Sequence, residues 1–128
     1  MKSNDSQIVD CLPIPIIILS AIAPLYKIIR INDMYAATVN KTSEELLGHS
    51  LFEIFPDVND NLKDIIATVE KAIKTKTNQI APRLRYDING EEKYWSLEYV
   101  PLTKDGIVTS LIQYTQDITM LIKLGMPL

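Results

Sequence analysis

Between residues 83 and 119 the apolar residues of this chain change their period from that of a helix to that of a strand. That change decides which folds are open to it. Arg83-Leu84-Arg85-Tyr86-Asp87-Ile88 alternates strictly, and Asn89-Gly90 follows as a two-residue hairpin turn, a pair suited to the positive φ angles such a turn requires. Alternation resumes through Tyr94 to Leu102, and Asp105-Gly106 offers a second turn before Ile107 to Thr119. Three antiparallel strands joined by short turns therefore close the chain.

Upstream the signals are mostly helical. Leu62, Ile65, Ile66, Val69 and Ala72/Ile73 form the i, i+3, i+4, i+7 stripe of a helix packed on a core. Glu70 and Lys74 add an i,i+4 pair, a minor stabilisation. Thr42 and Glu45 make a capping box for a short helix that runs into Gly48, a residue suited to a left-handed stop. Leu51 to Phe55 is a further helical turn closed by Pro56. Near the start, Ile14-Pro15-Ile16-Ile17-Ile18-Leu19 reads as a buried strand at about 15–21, and Lys27 to Ile31 as a second. Asn32-Asp33 caps a helix over Met34 to Thr38, and Asp5 to Leu12 suits a short leading helix that ends before Pro13. The order is strand, strand, short helices, one longer helix, three strands. This is an α+β chain whose first two strands complete the sheet begun by the last three.

Composition then narrows the chemistry. At 128 residues the chain suits one domain with its own core. The single cysteine, Cys11, excludes an internal disulfide, and one Cys with one His excludes a His/Cys zinc site. A net charge of −3 gives no electrostatic reason to expect nucleic acid. The cluster Lys71, Lys74, Lys76, Arg83 and Arg85 lacks interleaved exposed aromatics and reads as a solvated helix end. The uncharged stretch from Cys11 to Tyr26 contains three prolines and is 16 residues long, short of the roughly 20 that a membrane span needs. A signal peptide wants a basic start and a small-residue cleavage site, so secretion is not expected and the sequon Asn40-Lys41-Thr42 is given no weight. No acid/base pair or phosphate-cradling glycine loop is present. A soluble, cytoplasmic, non-catalytic domain without a metal is the expectation.

Five segments in order resemble the PAS domain, a sensor module of bacterial signalling proteins. They are Leu12-Pro13-Ile14-Pro15-Ile16, Ile31-Asn32-Asp33-Met34-Tyr35-Ala36, the run from Thr42 to Pro56, the late hairpin with Tyr94-Trp95 and Pro101-Leu102, and Asp117-Ile118-Thr119. The hairpin Ala21 to Tyr26 departs from the family, which often has an acidic residue and a glycine there. The resemblance implies a five-stranded antiparallel sheet with short helices and one longer helix packed on one face. It divides the chain into a loose N-terminus (1–7), a sensor domain (8–119) and the start of an output helix (120–128).

It also bears on ligands. The photoreceptor branch of the family carries a cysteine three positions after a glycine. Here Gly48 is followed by His49, Ser50 and Leu51, which implies no flavin adduct. Haem-binding members supply a histidine from the long helix, and residues 60–76 contain none. No cofactor is expected, and a small organic ligand remains open. Two arguments about strand faces disagree. Alternation alone puts Leu84, Tyr86 and Ile88 inward and leaves Arg83, Arg85 and Asp87 in water. The register of the resembled family puts Trp95, Leu97, Tyr99, Leu111, Gln113 and Thr115 toward the helices and points Arg85 at the pocket. On that register Tyr35, Arg85, Trp95, Leu97, Gln113 and Thr115 form a ligand-binding set. Arg85 then holds a ligand carboxylate or pairs with Asp87 or Glu98, while Leu84, Tyr86, Ile112 and Tyr114 make an apolar outer face for a helix or a second subunit.

The function that the resemblance implies is sensing in signal transduction, as part of a sensor histidine kinase of a two-component system or a related multidomain regulator. The partners it implies are a second copy in a homodimer and an adjacent output domain, with Asp117, Ile118 and Thr119 relaying the signal. Nucleic acid and a membrane span are not expected. A ligand-free dimerisation or protein-interaction module is the alternative.

Overall fold

A computed structural model describes residues 13–54, 61–88 and 90–126. The leading helix, Cys11, the closing Pro56 and the turn residue Asn89 lie outside the described residues. Among the described residues, β1 (Ile16–Ser20), β2 (Ile28–Ile31), β3 (Gln79–Ile88), β4 (Glu91–Lys104) and β5 (Ile107–Asp117) form one antiparallel sheet in the order β2-β1-β5-β4-β3. Between β2 and β3 come α1 (Asp33–Val39), α2 (Ser43–Leu46), α3 (Leu51–Ile54) and the long α4 (Asn61–Thr75), and α5 (Thr119–Lys123) follows the sheet. The α+β architecture and its five-stranded sheet are as the sequence implied.

Local chemistry explains most element ends. Thr42 and Glu45 form the expected capping box, with the Glu45 backbone N–H donating to Thr42 Oγ1 and the Thr42 N–H donating to Glu45 Oε1. The Thr42 N–H and hydroxyl, both donating to Glu45 Oε1, hold the Glu45 carboxyl below its ordinary pKa. Gly48 adopts φ +81° one residue past the C-cap of α2, the left-handed stop that a side chain would strain. The α4 stripe lies against β3 and β4, burying Ile65, Val69 and Ala72.

The core forms between the sheet and these helices. Ile17, Leu19, Ile28, Leu97, Tyr99 and Leu111 from the sheet meet Tyr35, Leu46, Leu51, Ile65 and Val69. On the other face, Ile18 pairs with Ile112, Ile16 with Tyr114 and Val100 with Ile112. Ile18, Val100, Ile112 and Tyr114 are half-buried there, while Ile16 is fully buried.

The strand faces of β3 require a correction. Ala81 pairs with Leu97 but Leu84 pairs with Trp95, so β3 holds one extra residue at Pro82-Arg83. This is a β-bulge, with Arg83 at φ +58° and proline placed where an edge strand tolerates the loss of its N–H. The bulge reverses the side-chain parity inherited from Ala81. Leu84 therefore sits in the core, 2% exposed, and Tyr86 packs against it. Arg85 points to solvent with its side chain 48% exposed, held by Glu92 at 3.0 Å and Asp87 at 3.4 Å. The inward Arg85 and the outward Leu84 and Tyr86 of the family register are both overturned, and simple alternation is correct for these three residues.

Candidate functional site

The interior of an apolar core carries a cluster of polar side chains. Because Tyr99 on β4 lies directly opposite Gln113 on β5, their side chains share one face. The Tyr99 hydroxyl donates to Gln113 Oε1 at 2.8 Å, and Gln113 Nε2 donates to Thr115 Oγ1 at 3.2 Å. Tyr35, from α1, brings its hydroxyl within hydrogen-bonding reach of Gln113, and Tyr86 lies close to both Tyr35 and Tyr99. Tyr35, Tyr99, Gln113 and Thr115 are all buried. Burial pushes the phenol pKa of Tyr99 far up, and that of Tyr35 likewise, with the hydrogen bond from Gln113 opposing the rise. Both phenols are therefore held neutral. Leu97 completes the inner face, with Trp95 partly buried beside it.

A buried amide sets the position of Tyr35. Asn32, 1% exposed, accepts from the backbone N–H of Ile16 at 3.0 Å and of Tyr35 at 2.9 Å, and its Nδ2 donates to Ile14 O at 2.7 Å. The expected cap of α1 is thus also a pin between that helix and the start of β1. Asn61 does a similar job at the other end of the core, where Nδ2 donates to Arg85 O at 2.6 Å. That bond anchors the start of α4 just beyond the bulge.

A second group of contacts lies where the sheet ends. The Ile118 N–H donates to Tyr94 O at 2.9 Å, and the Tyr94 N–H donates to Thr119 Oγ1 at 2.9 Å. The Thr119 N–H donates to Asp117 Oδ1 at 2.9 Å. Ile118 and Thr119 are buried. On the adjoining surface Tyr94 donates its hydroxyl to Glu92 Oε1 at 3.0 Å, and the same carboxylate pairs with Arg85. The Glu92 carboxylate raises the pKa of the Tyr94 phenol.

Of the residues proposed from sequence as a ligand set, the fold gathers Tyr35, Leu97, Gln113 and Thr115 on the inner face, with Trp95 at their margin. It leaves out Arg85. Of the proposed outer face, Ile112 and Tyr114 do face outward, whereas Leu84 and Tyr86 belong to the interior. Tyr99 joins them: two positions along β4 from Leu97, it lies on the same face, where the family register also puts it. Asp117, Ile118 and Thr119 form one bonded unit with Tyr94.

Among the described residues no Asp, Glu, Lys, Arg or His is buried, and no three His, Cys, Asp or Glu side chains stand close enough to hold a metal. No helix of the described residues is long and apolar enough to cross a membrane. Leu51, three positions after Gly48, is buried at the start of α3. It has no sulfur to bond a flavin. His49 is half-exposed, with Nδ1 3.4 Å from Glu53 Oε2.

A family model described as the PAS fold matches residues 9–123. No curated protein matches the chain. Among solved structures, an RNA-binding light-oxygen-voltage receptor superposes with a TM-score of 0.76 at 16% identity, over 96% of this chain and 35% of that one. A light-oxygen-voltage (LOV) protein of Rhodobacter sphaeroides gives 0.73 at 15% identity, over 91% of this chain and 67% of that one. A sensory box sensor histidine kinase from Vibrio cholerae gives 0.61 at 20% identity, over 92% and 91%. The likeness at these identities is one of fold, and the chain spans about a third of the RNA-binding receptor.

Proposed function

The chain belongs to the PAS fold family, and we propose that it acts as the ligand-sensing part of a larger signalling protein. It is a sensory signalling module by family. The finer reading is that a small organic molecule occupies the space around Tyr35, Tyr99, Gln113 and Thr115. The observation that carries this reading is the position of Thr115. It belongs to the buried polar cluster, and it precedes Asp117 on the same strand by two positions. A ligand that changes the bonding of Gln113 and Thr115 shifts the end of β5, and the Tyr94–Thr119 bonds pass that shift to α5. Such a change is a population shift between two packings, driven by the difference in ligand affinity.

In this reading residues 8–119 are the sensor body and residues 120–128 begin the connection to an output domain. The Vibrio cholerae structure is a sensor histidine kinase, which supports a kinase or a comparable two-component regulator as the output. In the same reading the domain itself performs no catalysis and works in the cytoplasm. Flavin photochemistry is not part of the reading, because Leu51 stands at the adduct position. A haem iron ligand from α4 is likewise absent from it, since residues 61–75 contain no histidine.

The outer face favours a second reading. Ile18, Val100, Ile112 and Tyr114 form a half-exposed apolar surface, which suits a homodimer contact. Native mass spectrometry of the purified chain separates the two readings. A retained small mass supports sensing, a dimer without added mass supports assembly alone, and a bare monomer contradicts both.

A further inference from the structure

The faces of β3 decide what kind of molecule the interior accepts. Ala81 faces inward opposite Leu97, so unbroken alternation would carry Arg83 and Arg85 to the same inner face. The extra residue at Pro82-Arg83 prevents this. Arg83 and Arg85 lie exposed, and Leu84 and Tyr86 take the inner positions. Around Gln113 the inner face then carries three phenols, one carboxamide and one secondary hydroxyl, from Tyr35, Tyr86, Tyr99, Gln113 and Thr115. Every one of these groups is neutral, and each can give or take a hydrogen bond. Among the described residues of β3 and β4, one cation shares the inner face at its rim. Lys93 lies opposite Tyr86, is part-exposed, and has its Nζ 3.4 Å from Glu91 Oε2.

We infer that this interior selects an uncharged, hydrogen-bonding ligand such as an amide or alcohol and rejects carboxylates and phosphates, because the bulge in β3 keeps both arginines of that strand outside. The inference rests on the ligand-sensing reading above. An anion entering this space would lose its hydration without meeting a buried cation, a cost that the phenols and the amide do not offset. An amide carbonyl or an alcohol keeps its hydrogen bonds on entry.

The test uses benzamide and benzoate, which share one shape and differ in charge. Both are titrated into the isotope-labelled chain, following the side-chain amide signal of Gln113. The inference predicts saturable shifts with benzamide and affinity for benzoate weaker by about tenfold or more. Arg85→Ala is expected to leave both affinities unchanged, since its guanidinium stands in solvent. Thr115→Val, which keeps the shape and removes the hydroxyl, is expected to weaken benzamide. Tyr86→Arg, which puts a cation where the bulge excludes one, is expected to reverse the preference toward benzoate. Benzoate binding as tightly as benzamide overturns the inference while leaving the ligand-sensing reading in place. Loss of that benzoate binding in Lys93→Gln would then identify the rim lysine as the anion site. Failure of both probes to move the Gln113 signal removes the interior site itself, and the inference with it.

Discussion

Tyr94 and Thr119 hold each other across the end of the sheet. The backbone N–H of Tyr94 donates to Thr119 Oγ1 at 2.9 Å, and the Tyr94 carbonyl receives the N–H of Ile118 at 2.9 Å. The residue that opens α5 is thereby bonded to β4, on the strand that also carries Tyr99. Any movement of β4 against β5 must break or keep these bonds. They tie β4 to the point where β5 runs into α5.

Thr119→Val removes the acceptor for the Tyr94 N–H and leaves the buried shape almost unchanged. The expected cost is about 1 kcal/mol in urea denaturation. Hydrogen exchange of the Tyr94 amide is expected to accelerate, and Thr119→Ser to restore its protection.

The bulge makes a prediction about neighbouring residues. Leu84→Ala empties a core position and is expected to cost about 2–5 kcal/mol. Arg85→Ala removes only half-exposed ion pairs and is expected to cost less than about 1 kcal/mol. Denaturation curves of the two variants check this directly, and equal costs would mean that the register of β3 is wrong.

Asn32→Ala strips three backbone groups of their partner, two of them, the Ile16 and Tyr35 N–H groups, at buried positions. On the order of 3 kcal/mol is expected to be lost. Because the same side chain seats Tyr35, the signals of Gln113 are expected to shift in this variant even though the two residues lie on different elements.

Alkaline pH probes the buried phenols. Tyr35 and Tyr99 have pKa values raised by burial, so the folded protein keeps protons that the unfolded chain gives up. Their contribution to stability is complete below the unfolded pKa of about 10. It is lost as pH rises from there toward the folded values. The denaturation midpoint is expected to fall above about pH 10, more steeply than in Tyr35→Phe, when each is followed by urea titration at several pH values.

The sequence spelled out some of this fold and hid the rest for physical reasons. Helix ends were legible because Thr42 with Glu45, Asn32 and Gly48 act on groups only a few positions away. The Asn89-Gly90 turn was equally informative, since it pairs Ile88 with Glu91 and by simple counting sets Leu84 opposite Trp95. That count outweighs the family register that pointed Arg85 inward. Strand bulges leave no such mark. Nothing in Val108-Thr109-Ser110 announces the shift that pairs Leu102 with Ser110 after Thr103 has paired with Val108. Without that shift Ile112 and Tyr114 would face inward in place of Gln113 and Thr115. The polar cluster therefore depends on long-range pairing, which no local pattern encodes.

In the proposed mechanism, events at Gln113 and Thr115 reach α5 through Tyr94 and Thr119. The most direct test is amide hydrogen exchange at Tyr94, Ile118 and Thr119, with and without saturating benzamide, in a sample whose Gln113 signal reports binding. A change in protection at these three amides, with those of β2 at the far edge of the sheet unaffected, is the predicted result. Bound benzamide with unchanged exchange at all three would contradict the account.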